Sequence, residues 1–148
     1  MKTPSQPFVI LLAEDEPADA HLIKFALNES GLLTDLHHVV DGREALEFLR
    51  QQGPQFADAP RPALILLDLN MPRMDGRECL AAIKKDETLR DIPVVILTTS
   101  EVERDIAASY NLGAAGYITK PMDIRQFITI IHQLGEYWIK LVRLPQPI

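Results

Sequence analysis

The chain has 148 residues and a mass of 16.6 kDa, enough for one domain with its own buried core and no metal or disulfide staple. Fifteen basic against twenty-one acidic residues give a net charge of -6, which argues against general nucleic-acid binding, because that needs a basic face. One cysteine, Cys79, excludes a disulfide framework and any multi-cysteine zinc site; with no apolar run of about 18 residues for a membrane span and no signal-peptide core near Met1, the expectation is a cytoplasmic protein without membrane contact.

Phe8 to Ala13 is a short apolar run ending in acids, which predicts a buried strand. Pro17 suits the first turn of a following helix, where its missing N–H costs little. Leu22, Ile23, Ala26 and Leu27 give that helix an apolar stripe, and Gly31 suits its end. A second strand is predicted over Leu36 to Val40. Asp41-Gly42 then turns into a helix with Ala45, Leu46, Phe48 and Leu49 inward. Gly53 to Pro62 carries three prolines and reads as a loop.

Ala63 to Asp68 is the clearest buried strand. Asp75 is placed to cap a third helix bearing Cys79, Leu80 and Ile83. Val94 to Thr98 is a fourth strand, Glu101 to Leu112 a fourth helix, and Gly116 to Thr119 a fifth strand. A long last helix runs from Ile124 to about Val142. Strands alternating with helices predict an α/β fold with a parallel sheet covered on both faces. The site of such a sheet lies beyond the carboxyl ends of its strands.

Those ends carry the chemistry. The first strand ends in Glu14-Asp15-Glu16, the third in Asp68, the fourth in Thr98-Thr99-Ser100 and the fifth in Lys120-Pro121. Taken singly, each residue has an ordinary reading: a helix cap, a complement to a helix N-terminus, strand chemistry, a solvated turn. If Glu14, Asp15 and Asp68 converge, they form a dense acidic cluster. Like charges so close raise one another's pKa unless a cation compensates, and carboxylates with a carbonyl suit Mg²⁺. No glycine-rich turn follows the first strand, which argues against a dinucleotide or flavin cradle. An Asp beside a divalent cation can attack a phosphoryl donor. Lys120 and the Thr98 hydroxyl could neutralise charge on the transferring group.

The segment Asp68-Leu69-Asn70-Met71-Pro72-Arg73-Met74-Asp75-Gly76 resembles the phosphoacceptor loop of response-regulator receiver domains. The acidic pair Glu14-Asp15, Thr98 at an offset of 30 residues from Asp68, and Tyr117-x-x-Lys120-Pro121 complete that pattern over about residues 7–134. The resemblance implies a doubly wound, flavodoxin-like (βα)5 domain with strand order 2-1-3-4-5. It implies Asp68 as the acceptor of a phosphoryl group from a histidine kinase. Asp15, Asp68 and the Asn70 backbone carbonyl would bind Mg²⁺, with Glu14 joining through water; Mn²⁺ or Ca²⁺ could substitute. Lys120 would contact the phosphoryl oxygens, in a bond to Pro121 expected to be cis. Thr98 and Tyr117 would be the switch residues, biasing a protein-interaction surface on the fourth helix, fifth strand and fifth helix. Asn70 and Ser100 resemble positions that tune autodephosphorylation. Glu14 stands where Asp is commoner, and Thr99 where Ala is common.

The proline-containing insert before the third strand, Leu97-Thr98-Thr99-Ser100, Ala108-Ser109-Tyr110 and Tyr137-Trp138-x-x-x-Val142-x-Leu144-Pro145 are similar to the small stand-alone regulators paired with cyanobacterial phytochrome histidine kinases. This implies a signalling protein, not an enzyme, whose input is a phytochrome-type kinase. Fewer than thirty residues follow Lys120, so a single domain over 1–148 with no DNA-binding output module is expected, its extension and tail beginning near residue 135. Tyr137, Trp138, Leu141 and Leu144 are expected to form a homodimer contact, since Trp and Tyr are favoured interface anchors and a two-fold dimer is the commonest assembly.

Two other readings remain. A phosphotransferase of the haloacid-dehalogenase type also uses a strand-end Asp with Mg²⁺, but needs a second Asp where Asn70 stands. A phosphate-independent scaffold would keep the fold without the switch. The four histidines have no metal spacing, and Cys79 reads as a small buried hydrophobe. Arg43, Lys84, Lys85 and Arg90 read as solvated helix surface.

Overall fold

The structure is a computed structural model that describes residues 7–99, 113–120 and 124–143, with the backbone alone for Thr98, Thr99, Tyr117, Thr119, Lys120 and residues 134–143. Its elements in chain order are β1 (Phe8–Ala13), α1 (Pro17–Glu29), β2 (Thr34–Val39), α2 (Gly42–Leu49), a single helical turn α3 (Gly53–Phe56), β3 (Leu64–Asp68), α4 (Gly76–Lys85), β4 (Val94–Thr99), β5 (Gly116–Lys120) and α5 (Ile124–Arg143). The strands form one parallel sheet in the order β2-β1-β3-β4-β5. The expected fold and strand order are therefore observed. The helix expected over 101–112 lies outside the described residues.

The pleat sorts the core into two layers, because successive side chains of a strand point to opposite faces. Ile10 and Leu12 of β1, Leu64 and Leu66 of β3, and Val95 and Leu97 of β4 pack on one face with Ala20, Ile23, Ala26 and Leu27 of α1 and Phe127 and Ile131 of α5. Leu11, Ala13, Ile65, Leu67, Val94 and Ile96 pack on the other with Ala45, Leu46 and Phe48 of α2 and Cys79, Leu80 and Ile83 of α4. Strands buried on both sides show no alternation in sequence, and this explains the unbroken apolar runs of β1, β3 and β4.

Helix starts follow the side chains that can satisfy their free N–H groups. Glu16 caps α1 ahead of Pro17, and Asp41 caps α2 through Glu44 N. Asp75 and Glu78 form a reciprocal capping box on α4. Ser30 closes α1, its N–H and Oγ both donating to Leu27 O, and Gly31 follows at φ 79°, the left-handed turn that glycine adopts without a Cβ penalty.

Several boundaries differ from expectation: β3 begins at Leu64, β4 ends at Thr99 and β5 ends at Lys120, each by one residue. β2 begins at Thr34, two residues before Leu36, because its pairing register (Phe8 with Thr34, Val9 with Asp35) recruits polar residues at the sheet edge. It ends before Val40, which is exposed. The 53–62 segment contains α3, whose Phe56 is buried and meets Phe48 edge-on at 5.5 Å between ring centres; an aromatic anchor holds one helical turn inside the proline-rich loop. In α1 the buried stripe uses Ala20, with Leu22 only half-buried. Lys84 is likewise more than solvated surface, since its Nζ donates to Arg90 O at 2.9 Å.

Gly76 opens α4 directly beneath the end of β3. A Cβ there would lie 2.7 Å from Leu69 Cα and closer still to the Asp68 carbonyl oxygen. Gly76→Ala is expected to destabilise the protein by about 2 kcal/mol, as overpacking against backbone does; urea unfolding checks this, and a loss under about 0.5 kcal/mol would show that the α4 start can shift freely.

Burial pushes the Cys79 thiol up to about 12. The unfolded thiol titrates near 8.5, so the folded state holds its proton more tightly. That stabilisation is complete below about pH 8.5 and is lost as pH rises through the folded value. Between pH 8.5 and 10 the wild type should lose about 1.5 kcal/mol more stability than Cys79→Ala. Parallel curves for the two proteins would contradict the assignment.

Candidate functional site

β1 and β3 are neighbours in the sheet although β2 intervenes in sequence, so the strand order reverses between them. Side chains at the carboxyl ends of such a pair face a crevice that no crossover covers. The register pairs Ala13 with Leu67, which sets Glu14 level with Asp68 one residue further on. Both are in phase with Leu12 and Leu66, on the same side of the pleat.

Glu14, Asp15 and Asp68 each present a carboxylate oxygen, and these atoms all lie within 4.8 Å of one another. Glu14 is fully buried, Asp68 is 5% exposed and Asp15 is exposed. Backbone amides hold the buried pair: Glu16 N donates to Glu14 Oε2 at 3.2 Å, and Asn70 N donates to Asp68 Oδ1 at 3.1 Å. Glu16 also starts α1, so the positive end of that helix faces the cluster. Three oxygen donors, one open to solvent, are the donor set of a hard divalent cation that keeps some of its waters. The residues present therefore fit such an ion.

The third and fourth parts of the expected site are placed by backbone. Asp68 pairs with Leu97, Thr98 with Thr119 and Thr99 with Lys120. Thr98 thus stands one residue beyond the partner of Asp68, at the same end of the sheet. Lys120 closes β5 two strands away, about 10 Å at ordinary strand spacing. The side chains of Thr98, Tyr117 and Lys120, and Ser100 and Pro121 as a whole, lie outside the described residues. So do the side chains of Tyr137, Trp138 and Leu141, whose backbone continues α5, and Leu144.

Sequence reading passed over the residues that hold the site together. The N–H of Glu14 donates to Val39 O at 3.0 Å, and the Glu14 carbonyl lies 2.8 Å from His38 Nε2. Asp41, read only as part of a turn, is buried and accepts Glu44 N on Oδ1 at 2.8 Å, while its Oδ2 receives Arg73 Nε at 2.7 Å and Nη2 at 2.6 Å. The carboxylate of Asp41 holds the Arg73 guanidinium above its ordinary pKa, chiefly by the hydrogen bond and then by charge. Arg73 has φ 63°, a left-handed conformation that costs a non-glycine residue about 1 kcal/mol. Asp41-Gly42 ahead of an apolar helix signals a cap; nothing in sequence signals that a loop arginine 32 residues later is its partner.

A family model described as the response regulator receiver domain matches residues 10–132. The chain is 45% identical over 139 residues to the response regulator Rcp1 of Synechocystis sp., covering 94% of each protein. Among solved structures, the phosphorylated cyanobacterial phytochrome response regulator RcpA matches with a TM-score of 0.80 and 47% identity, over 95% of this chain and all of that one. The Mn²⁺-bound form of Rcp1 matches with a TM-score of 0.78 and 44% identity, over 95% of this chain and all of that one. These likenesses give no support to a haloacid-dehalogenase or scaffold reading. The receiver fold, the three-carboxylate cluster at its switch point and the family match agree: the chain belongs to the response regulator receiver domain family.

Proposed function

We propose that the chain is a Mg²⁺-dependent phosphoacceptor switch that takes its phosphoryl group from a phytochrome-type histidine kinase. The observation that carries this reading is the cluster of Glu14, Asp15 and Asp68, with carboxylate oxygens inside 4.8 Å of one another at the ends of β1 and β3. A cluster of this kind favours an added cation and places one carboxylate, Asp68, as the nucleophile. The likeness to Rcp1 and RcpA supports the kinase class and the metal.

In this reading Asp15, Asp68 and the Asn70 backbone carbonyl hold Mg²⁺, with Glu14 acting through water. The ion, when bound, offsets charge on the equatorial oxygens of the transferring group. An Asp68 oxygen forms the new bond to phosphorus as the bond from phosphorus to the kinase imidazole nitrogen breaks, and the electron pair returns to that nitrogen. The Lys120 ammonium and the Thr98 hydroxyl take up charge on the phosphoryl oxygens. Thr98 and Tyr117 then bias the surface formed by segment 101–112, β5 and α5. Asn70 and Ser100 set the rate of autodephosphorylation. Output passes through protein contact in the cytoplasm, from one domain spanning the chain. Homodimerisation through Tyr137, Trp138, Leu141 and Leu144 is supported by the continuation of α5 to Arg143 and by the preference of Trp and Tyr for interfaces.

Phosphotransfer from a purified phytochrome-type kinase and from acetyl phosphate tests the proposal. The wild type should label rapidly with Mg²⁺, while chelator or Asp68→Asn should abolish labelling. Labelling that survives Asp68→Asn would place the acceptor elsewhere. Transfer from acetyl phosphate alone would remove the phytochrome pairing. In metal-free protein Asp68→Asn should also raise stability by about 1 kcal/mol, the size of one screened like-charge contact at this separation. Saturating Mn²⁺ should reverse that order, because the ion stabilises only the protein that binds it well; a variant less stable at both conditions would deny that repulsion governs the cluster.

A further inference from the structure

We infer that the Arg73–Asp41 ion pair is a positioning brace for the divalent-cation site, fixing the loop that carries the Asn70 carbonyl against the start of α2. The inference rests on the metal-site reading above and assigns a role there to two residues that touch neither ion nor phosphoryl group.

The turn from His38 to Gly42 contacts both loops that carry the acids. On the β1 side it holds Glu14 by the main chain at both N and O, through Val39 and His38. On the β3 side Gly42 N donates to Met74 O at 2.9 Å, and Asp41 Oδ2 receives two N–H groups of Arg73. The two loops are thus registered to each other through a third segment. Contact at Gly42 leaves no slack: a Cβ there would lie 2.7 Å from Met74 O and 3.0 Å from Cys79 Cβ.

Arg73 itself argues for a side-chain role. Its φ of 63° is the conformation in which glycine is at ease, yet the position carries the longest of basic side chains. The acid of the pair is withdrawn from water, since the Asp41 side chain is only 3% exposed and its other oxygen is committed to the α2 cap, while the Arg73 side chain is half-exposed. Asn70 lies between two anchors, its own N–H on Asp68 Oδ1 and the Arg73 fork three residues on. Removing the fork takes away the side-chain tie of that span to the start of α2, leaving there the Gly42–Met74 bond. Groups that orient metal ligands without touching the metal commonly matter about tenfold or more in affinity.

The sign of the effect separates positioning from charge. Arg73 is a cation near a cation site, so a purely Coulombic role predicts tighter metal binding when it is removed. A brace predicts weaker binding. Calorimetric titration of the full chain with Mn²⁺ is therefore made on wild type, Arg73→Ala, Arg73→Gly and Arg73→Lys, with urea unfolding and amide exchange of Gly42 in the metal-free proteins. Arg73→Ala and Arg73→Gly should each weaken Mn²⁺ binding by about tenfold. Both should speed Gly42 exchange and lower the unfolding midpoint, because they leave the buried Asp41 carboxylate without its cation, and Arg73→Lys should recover part of the affinity. Wild-type affinity in Arg73→Gly would mean that the pair only offsets backbone strain and would overturn the brace, as would unchanged or tighter binding in Arg73→Ala. Failure of wild type itself to bind Mn²⁺ would instead remove the metal-site reading and the brace with it.

Discussion

Three carboxylates held within 4.8 Å of one another repel, and a fold that holds them there must supply the compensation. Much of this molecule's local structure can be understood as that supply. The α1 terminus faces the cluster, and main-chain N–H groups of Glu16 and Asn70 bind two of the acids. These groups are fixed dipoles of partial charge. They reduce the repulsion without supplying a full positive charge, so a divalent cation remains the natural counterpart. Burial sharpens the constraint: Glu14 and Asp68 are withdrawn from water while Asp15 keeps contact with it. That asymmetry leaves one side of the cluster open to an arriving ion and its waters.

The sheet makes the arrangement possible. Because β1 and β3 are central strands, both pleat faces are filled by apolar side chains, and the strands cannot slip without moving a whole layer of core to the wrong side. Asp68 and Glu14 therefore stand at the ends of strands locked by packing on both faces. The loops beyond are closed by contacts that admit no extra atoms, at Gly42 against Met74 and at Gly76 against the Asp68 carbonyl. Strain at Arg73 is sustained by this packing rather than by local preference.

The fold was legible in sequence to the extent that burial writes itself as hydrophobic pattern. β1, β3 and β4 announce themselves because they are apolar on both faces. β2 is legible only from Leu36 because an edge strand includes Thr34 and Asp35, whose role is pairing and not burial. α3 was missed because one turn anchored by Phe56 has too few residues to show a period. In the site, Glu14, Asp15 and Asp68 are legible as acids at strand ends, while their convergence rests on the adjacency of β1 and β3, which the resemblance implies and the sheet order shows. His38 and Asp41–Arg73 are not legible, since their partners are 24 and 32 residues away and no spacing rule links a turn to a distant loop.

The same packing indicates where a switch can act. On the β1–β2–β3 side the acids are bounded by capped helices, an ion pair whose acid is buried and two glycines without room for a methyl group. A phosphoryl group on Asp68 adds charge and volume next to that side, which has little capacity to yield. In the proposed function the response must then be taken up across the sheet, where β4 and β5 bring Thr98 and Lys120 to the same end.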